Sequence, residues 1–115
     1  MMTEVAKTIL AQLGGGRFVA MTGARKMSGD EDTLLIHLPA RFAKDGITAV
    51  KIKLEANDTY TMTFYKVTKA RGQWTGGTTY LTIAEVEDVY NDSLRSVFES
   101  KTGLATSLGT MKVLG

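Results

Sequence analysis

The sequence predicts an α+β fold: a single antiparallel sheet of four or five strands, with an N-terminal helix and a C-terminal helix, the latter packed on one face. Three observations carry this. Strand-type alternation recurs through the middle of the chain, most plainly at 49–56, where Val50, Ile52 and Leu54 alternate with Lys51, Lys53 and Glu55. Helical spacing of apolar residues is found at the two ends. The 115 residues match the commonest domain size, so one core and one domain over 1–115 are expected. Helices flanking a run of strands imply two layers.

The first element is a helix that starts after Thr3, a good N-cap, and sets Val5, Ile9, Leu10 and Leu13 on one face. Gly14, Gly15 and Gly16 stop it. The apolar run 17–24, RFVAMTGA, reads as the first strand, followed by a polar loop, RKMSGDED. TLLIHLP (33–39) is the next strand, ended by Pro39, which has no N–H for the ladder. AVKIKLEA (49–56) and TYTMTFYKV (59–67) form a hairpin across Asn57 and Asp58. After a loop, KARGQWTGG, the segment TTYLTIAEV (78–86) is a fifth strand. The last helix is expected at about 88–101, capped by Asp88, with Val89, Tyr90, Leu94, Val97 and Phe98 as its apolar stripe and Gly103 past its end. A capping box from Thr82 to Glu85 is an alternative start. The expected core is Phe18, Ala20, Leu34, Ile36, Val50, Ile52, Leu54, Met62, Phe64, Leu94, Val97 and Phe98.

Composition excludes several chemistries. There is no cysteine, hence no disulfide, thiolate metal site or cysteine nucleophile. No apolar stretch approaches the roughly 18 residues of a membrane span, and MMTEVAKTILAQLGG is no secretory signal. A cytoplasmic protein with no membrane partner is expected. The GGGR run at 14–17 follows a helix and precedes a strand, the reverse of a phosphate loop, and lacks the Lys-Ser/Thr pair. Asp30, Glu31 and Asp32 lack the spacing of a calcium loop. Glu85, Glu87, Asp88 and Asp92 read as acids favoured near a helix N-terminus. His37 is the only histidine and has no nucleophile motif to serve. The expectation is a protein that is not an enzyme and needs no cofactor or metal.

Net charge is +2, but residues 17–71 hold ten basic and six acidic side chains. Lys51 and Lys53 share a strand face. Arg25 and Lys26 lie near the first strand, and Lys66, Lys69 and Arg71 run out of the strand after the hairpin. Three aromatics, Tyr65, Trp74 and Tyr80, lie nearby, Trp74 in a glycine-rich loop. Positive grooves with aromatic faces are how single-stranded nucleic acid is held. The set Arg25, Lys26, Lys51, Lys53, Tyr65, Lys66, Lys69, Arg71 and Trp74 is therefore the expected nucleic-acid-binding surface. The plain alternative is that alternating lysines keep a wet sheet soluble and its edges unpaired.

The blocks LGGGRFVAMTGARKM, DTYTMTFYKV and VYNDSLRSVFESKTGLATSL span most of the chain. Together they resemble a family of small tailed-phage and mobile-element proteins. The resemblance implies an accessory protein working inside a host cell and carries no catalytic or binding residue onto this chain. At the level of fold alone, four antiparallel strands and a helix look like a Whirly-type single-strand-binding unit. The N-terminal helix and the fifth strand depart from it. The expected partners are single-stranded nucleic acid or, alternatively, a host or phage protein. A homodimer, by edge pairing or by helix packing across a two-fold axis, is expected too, because the apolar tail SLGTMKVLG and an open sheet edge both invite cover; the alternative is that the tail folds back as an edge strand of its own sheet.

Overall fold

In the computed structural model, residues 3–41, 43–69 and 78–104 are described. Helix α1 spans Glu4–Leu13. The Thr3 hydroxyl accepts from the Ala6 N–H at 3.2 Å and donates to the Asp30 carbonyl at 2.6 Å. One side chain thus caps the helix and ties it to a strand-connecting turn. Ala6, Ile9 and Leu13 form its buried face, and Gly14 ends it at φ 128°.

A second helix, α2 (Gly16–Thr22), stands where a strand was expected at 17–24. Phe18 and Thr22, one turn apart, are buried, whereas Ala20 is exposed and leaves the expected core. A strand would have set residues 18, 20 and 22 on one side. The Thr22 hydroxyl donates to the Phe18 carbonyl at 2.7 Å, and left-handed Gly23 closes the helix. Short apolar runs suit a buried helix as well as a strand, and burial on a period of four decides this one.

The sheet begins inside the segment read as a polar loop. Its strands are β1 (Arg25–Gly29), β2 (Thr33–His37), β3 (Ala49–Leu54), β4 (Tyr60–Lys69) and β5 (Thr78–Val89). They form one antiparallel sheet in chain order. β1 escapes pattern reading because it is an edge strand with an irregularity between Arg25 and Ser28, and Met27 packs against the core only in part. The β3–β4 hairpin turns where expected. The Asn57 side chain accepts from the Thr59 hydroxyl at 2.7 Å, and Asp58 takes a left-handed φ of 66°.

β5 runs on to Val89, so Asp88 is not a helix cap, nor do Thr82 and Glu85 form a capping box. Asp88 sits in the strand at φ 57°, where the ladder slips between Tyr60 and Met62. Val89 is buried and Tyr90 is 63% exposed, a two-residue period. A 3-10 turn at Asn91–Ser93 leads into helix α3 (Leu94–Thr102), which Gly103 ends in left-handed conformation.

Helices α1, α2 and α3, the α-helices among the described residues, lie on one side of the sheet. Leu34, Ile36, Val50, Ile52, Met62 and Phe64 point into that layer and are fully buried. The Phe18 and Phe98 rings meet edge to face at 4.9 Å, locking α2 to α3. Leu54 and Val97, expected in the core, are partly buried at its margin. Gly29 marks the closest approach of α1 to the sheet, where a Cβ would collide with the Cβ of Ala6.

Candidate functional site

Among the described residues the opposite side of the sheet carries no helix, and its side chains form rows set by strand register. The first row reads Arg25, His37, Ala49, Tyr65 and Thr82 across all five strands. Tyr80 stands two residues beyond Thr82, and the Tyr65 and Tyr80 rings meet edge to face at 5.5 Å. Tyr80 is 44% exposed. This row contains no carboxylate. Ala49, opposite Tyr65 on β3, is fully buried at the row's centre.

The next row holds Ser28, Leu35, Lys51, Thr63 and Glu85. The third holds Thr33, Lys53 and Thr61. Here charge separates across the sheet. The Thr63 hydroxyl donates to Glu85 at 3.1 Å and the Thr61 hydroxyl donates to Glu55 at 2.7 Å. Glu55, Thr61, Glu87 and Asp88 line a cleft of about 430 Å³ at the β3–β4 turn. Lys51 and Lys53 therefore lie on β3 and Glu85 and Glu87 on β5, with Glu55 at the end of β3 beside the turn. Glu85 and Glu87, read from sequence as acids near a helix start, belong to a strand.

The structure gathers part of the expected surface. Arg25, Lys51, Lys53 and Tyr65 share the open side. Lys66 does not: it pairs with Leu81, and its aliphatic chain lies beside Gly46 on the helix side. Tyr65 and Lys66 are chain neighbours, so in a strand they must diverge. Lys26 lies on β1 and Lys69 ends β4. Arg71 and Trp74 fall outside the described residues. Sequence reading places Tyr80 near the basic face without assigning it to the binding set, and leaves His37 out. Tyr80 is legible, since it shares a strand face with Thr82 as Tyr65 does with Thr63. The place of His37 depends on register, which local pattern does not contain.

Among the described residues, no group of three His, Asp or Glu side chains could hold a metal ion, and no helix is long and apolar enough to cross a membrane. No family model, curated protein or solved structure matches the chain.

Proposed function

We propose that this chain is a non-enzymatic accessory protein of a phage or mobile element, acting in the host cytoplasm, that binds single-stranded nucleic acid on its open sheet face. The observation that carries the reading is the carboxylate-free row from Arg25 through Tyr65 to Thr82, with Tyr80 packed diagonally against Tyr65 and Lys51 one row away. Bases stack on aromatic faces at about 1–3 kcal/mol each, and cations hold the phosphates between them. The acidic β5 side of the neighbouring rows confines the strand to the tyrosine end. Fluorescence anisotropy with a labelled oligothymidine tests this. Binding is expected at low salt and weakens as salt rises, because phosphate contacts release counterions. Tyr80→Ala and Lys51→Gln weaken it further. No binding at tens of micromolar protein sinks the proposal.

Exposed Leu81 and Tyr90 favour a second reading, a module that engages a host or phage protein. Affinity capture from host lysate separates the two. A partner lost on nuclease treatment argues for nucleic acid, and one that persists argues for protein.

A further inference from the structure

The outer edge of β5 is built for self-pairing. Among the described residues this 12-residue strand pairs on one side only, with β4. Its ladder with β4 slips between the partners of Phe64 and Tyr65, which are Ala84 and Thr82, so Ile83 is an extra residue. Ile83 and Ala84 both line the groove beside Lys101, on the helix side. The helix side of β5 therefore presents Leu81, Ile83, Ala84 and Val86, and the open side presents Tyr80, Thr82, Glu85 and Glu87. Leu81 is 56% exposed, a large apolar side chain at the rim of the helix layer.

We propose that a second copy of this chain pairs antiparallel with this edge, β5 to β5, about a two-fold axis between Ile83 and Ala84. In this register Leu81 lies opposite Val86 of the partner subunit, and Ile83 lies opposite Ala84 of the partner subunit. On the open side Thr82 lies opposite Glu85 of the partner subunit, and Tyr80 lies opposite Glu87 of the partner subunit. Leu81, Ile83, Ala84 and Val86 each meet an apolar side chain, and no carboxylate faces another. Sliding either strand by one or two residues sets a polar open-side residue against an apolar helix-side one, because the extra residue shifts the alternation at one point only. Bulges ordinarily blunt an edge. Here the bulge sits on the axis, where each copy's extra residue meets the other's. The product is one continuous sheet from two five-stranded halves, with both Tyr65–Tyr80 pairs on the same side. The inference stands whether or not that side binds nucleic acid.

Light scattering on the full chain at roughly 100 µM is the first test. A dimeric mass is expected, and a monomeric one overturns the proposal. Register is tested by charge. Thr82→Glu sets like charges opposite each other twice per dimer and raises the dissociation constant by about tenfold. Adding Glu85→Lys restores it. A dimer indifferent to both changes refutes edge pairing. Because the chain has no cysteine, the double variant Thr82→Cys, Glu85→Cys supplies an independent readout. Opposed residues fall within disulfide reach, whereas the two positions within one strand lie about 10 Å apart. Oxidation should give a covalent dimer from the double variant and none from Thr82→Cys alone. A dimer that resists cross-linking also overturns the register.

Discussion

Val50 and Ile52 are fully buried under the helices, while Lys51 and Lys53, one residue away on the same strand, lie on the open side with Lys53 exposed. The two faces of the sheet share a backbone and almost nothing else. The helix side is a close-packed layer in which Phe18, Phe64 and Phe98 are without solvent contact. The open side is mostly polar, its hydroxyls, lysines, glutamates, Arg25, His37 and two tyrosines held in rows by register with Leu35 and Ala49 among them. Stability therefore resides in one face, and the other is free to vary with its ligand. The exceptions are side chains that join the layers, such as Tyr60, whose hydroxyl donates to Gln12 on α1 at 2.9 Å.

The comparison is broken or sharpened by substitutions on each side. Phe98→Ala should have the largest effect, about 3–5 kcal/mol of unfolding free energy in a denaturant titration, because it opens a cavity between α2 and α3. A loss under 1 kcal/mol would mean the helices are not locked through that ring pair. Gly29→Val should cost about 1–3 kcal/mol by forcing α1 off the sheet, since the new Cβ meets Ala6.

Tyr60→Phe should cost about 1 kcal/mol at neutral pH through the lost hydrogen bond. It should also change the alkaline limb of the stability curve. Burial raises the Tyr60 pKa above its ordinary value near 10, Gln12 pulls it down in part, and the negative charge of Asp58 raises it further. The unfolded chain ionises first. The stability held by the neutral hydroxyl is complete below the unfolded pKa and is lost as pH rises through the folded one. Thermal melts at rising alkaline pH should therefore steepen in their decline for the parent chain and flatten for the phenylalanine variant.

The smallest effect is expected on the open side. Lys53→Glu with Tyr80→Ala should leave unfolding free energy within about 0.5 kcal/mol of the parent while weakening oligonucleotide binding. A large stability loss would show that the open face carries structure as well.

Much of this was legible before any coordinates. Alternation over 49–56 and 59–67 marked the central hairpin, because a half-buried strand must write its two faces into every second residue. Thr3 marked the start of α1 because a cap is a local bond. Elsewhere local pattern misled. Residues 17–22 carry strand-like apolar residues, yet the space beside α3 takes a helix that brings Phe18 to Phe98. Arg25–Gly29 look like a loop, yet β2 has an open edge that needs a neighbour. Val89 fits a helical stripe, yet Tyr60 lies across from it on β4.

By itself the sequence determined what each stretch must bury: the fold class, the central hairpin, the lysine-bearing strand face and the absence of cysteine chemistry. These depend on neighbours a few residues apart. Only the tertiary structure decided which positively charged residues share a surface. It put Lys51, Lys53 and Arg25 on one side and Lys66 on the other, and it brought Tyr80 to Tyr65 across the β4–β5 register. It also set Glu85 and Glu87, read from sequence as acids near a helix start, on the lysine-bearing face. Strand register and bulges fix these placements. They are settled by how whole faces fit together, and no window of neighbouring residues records them.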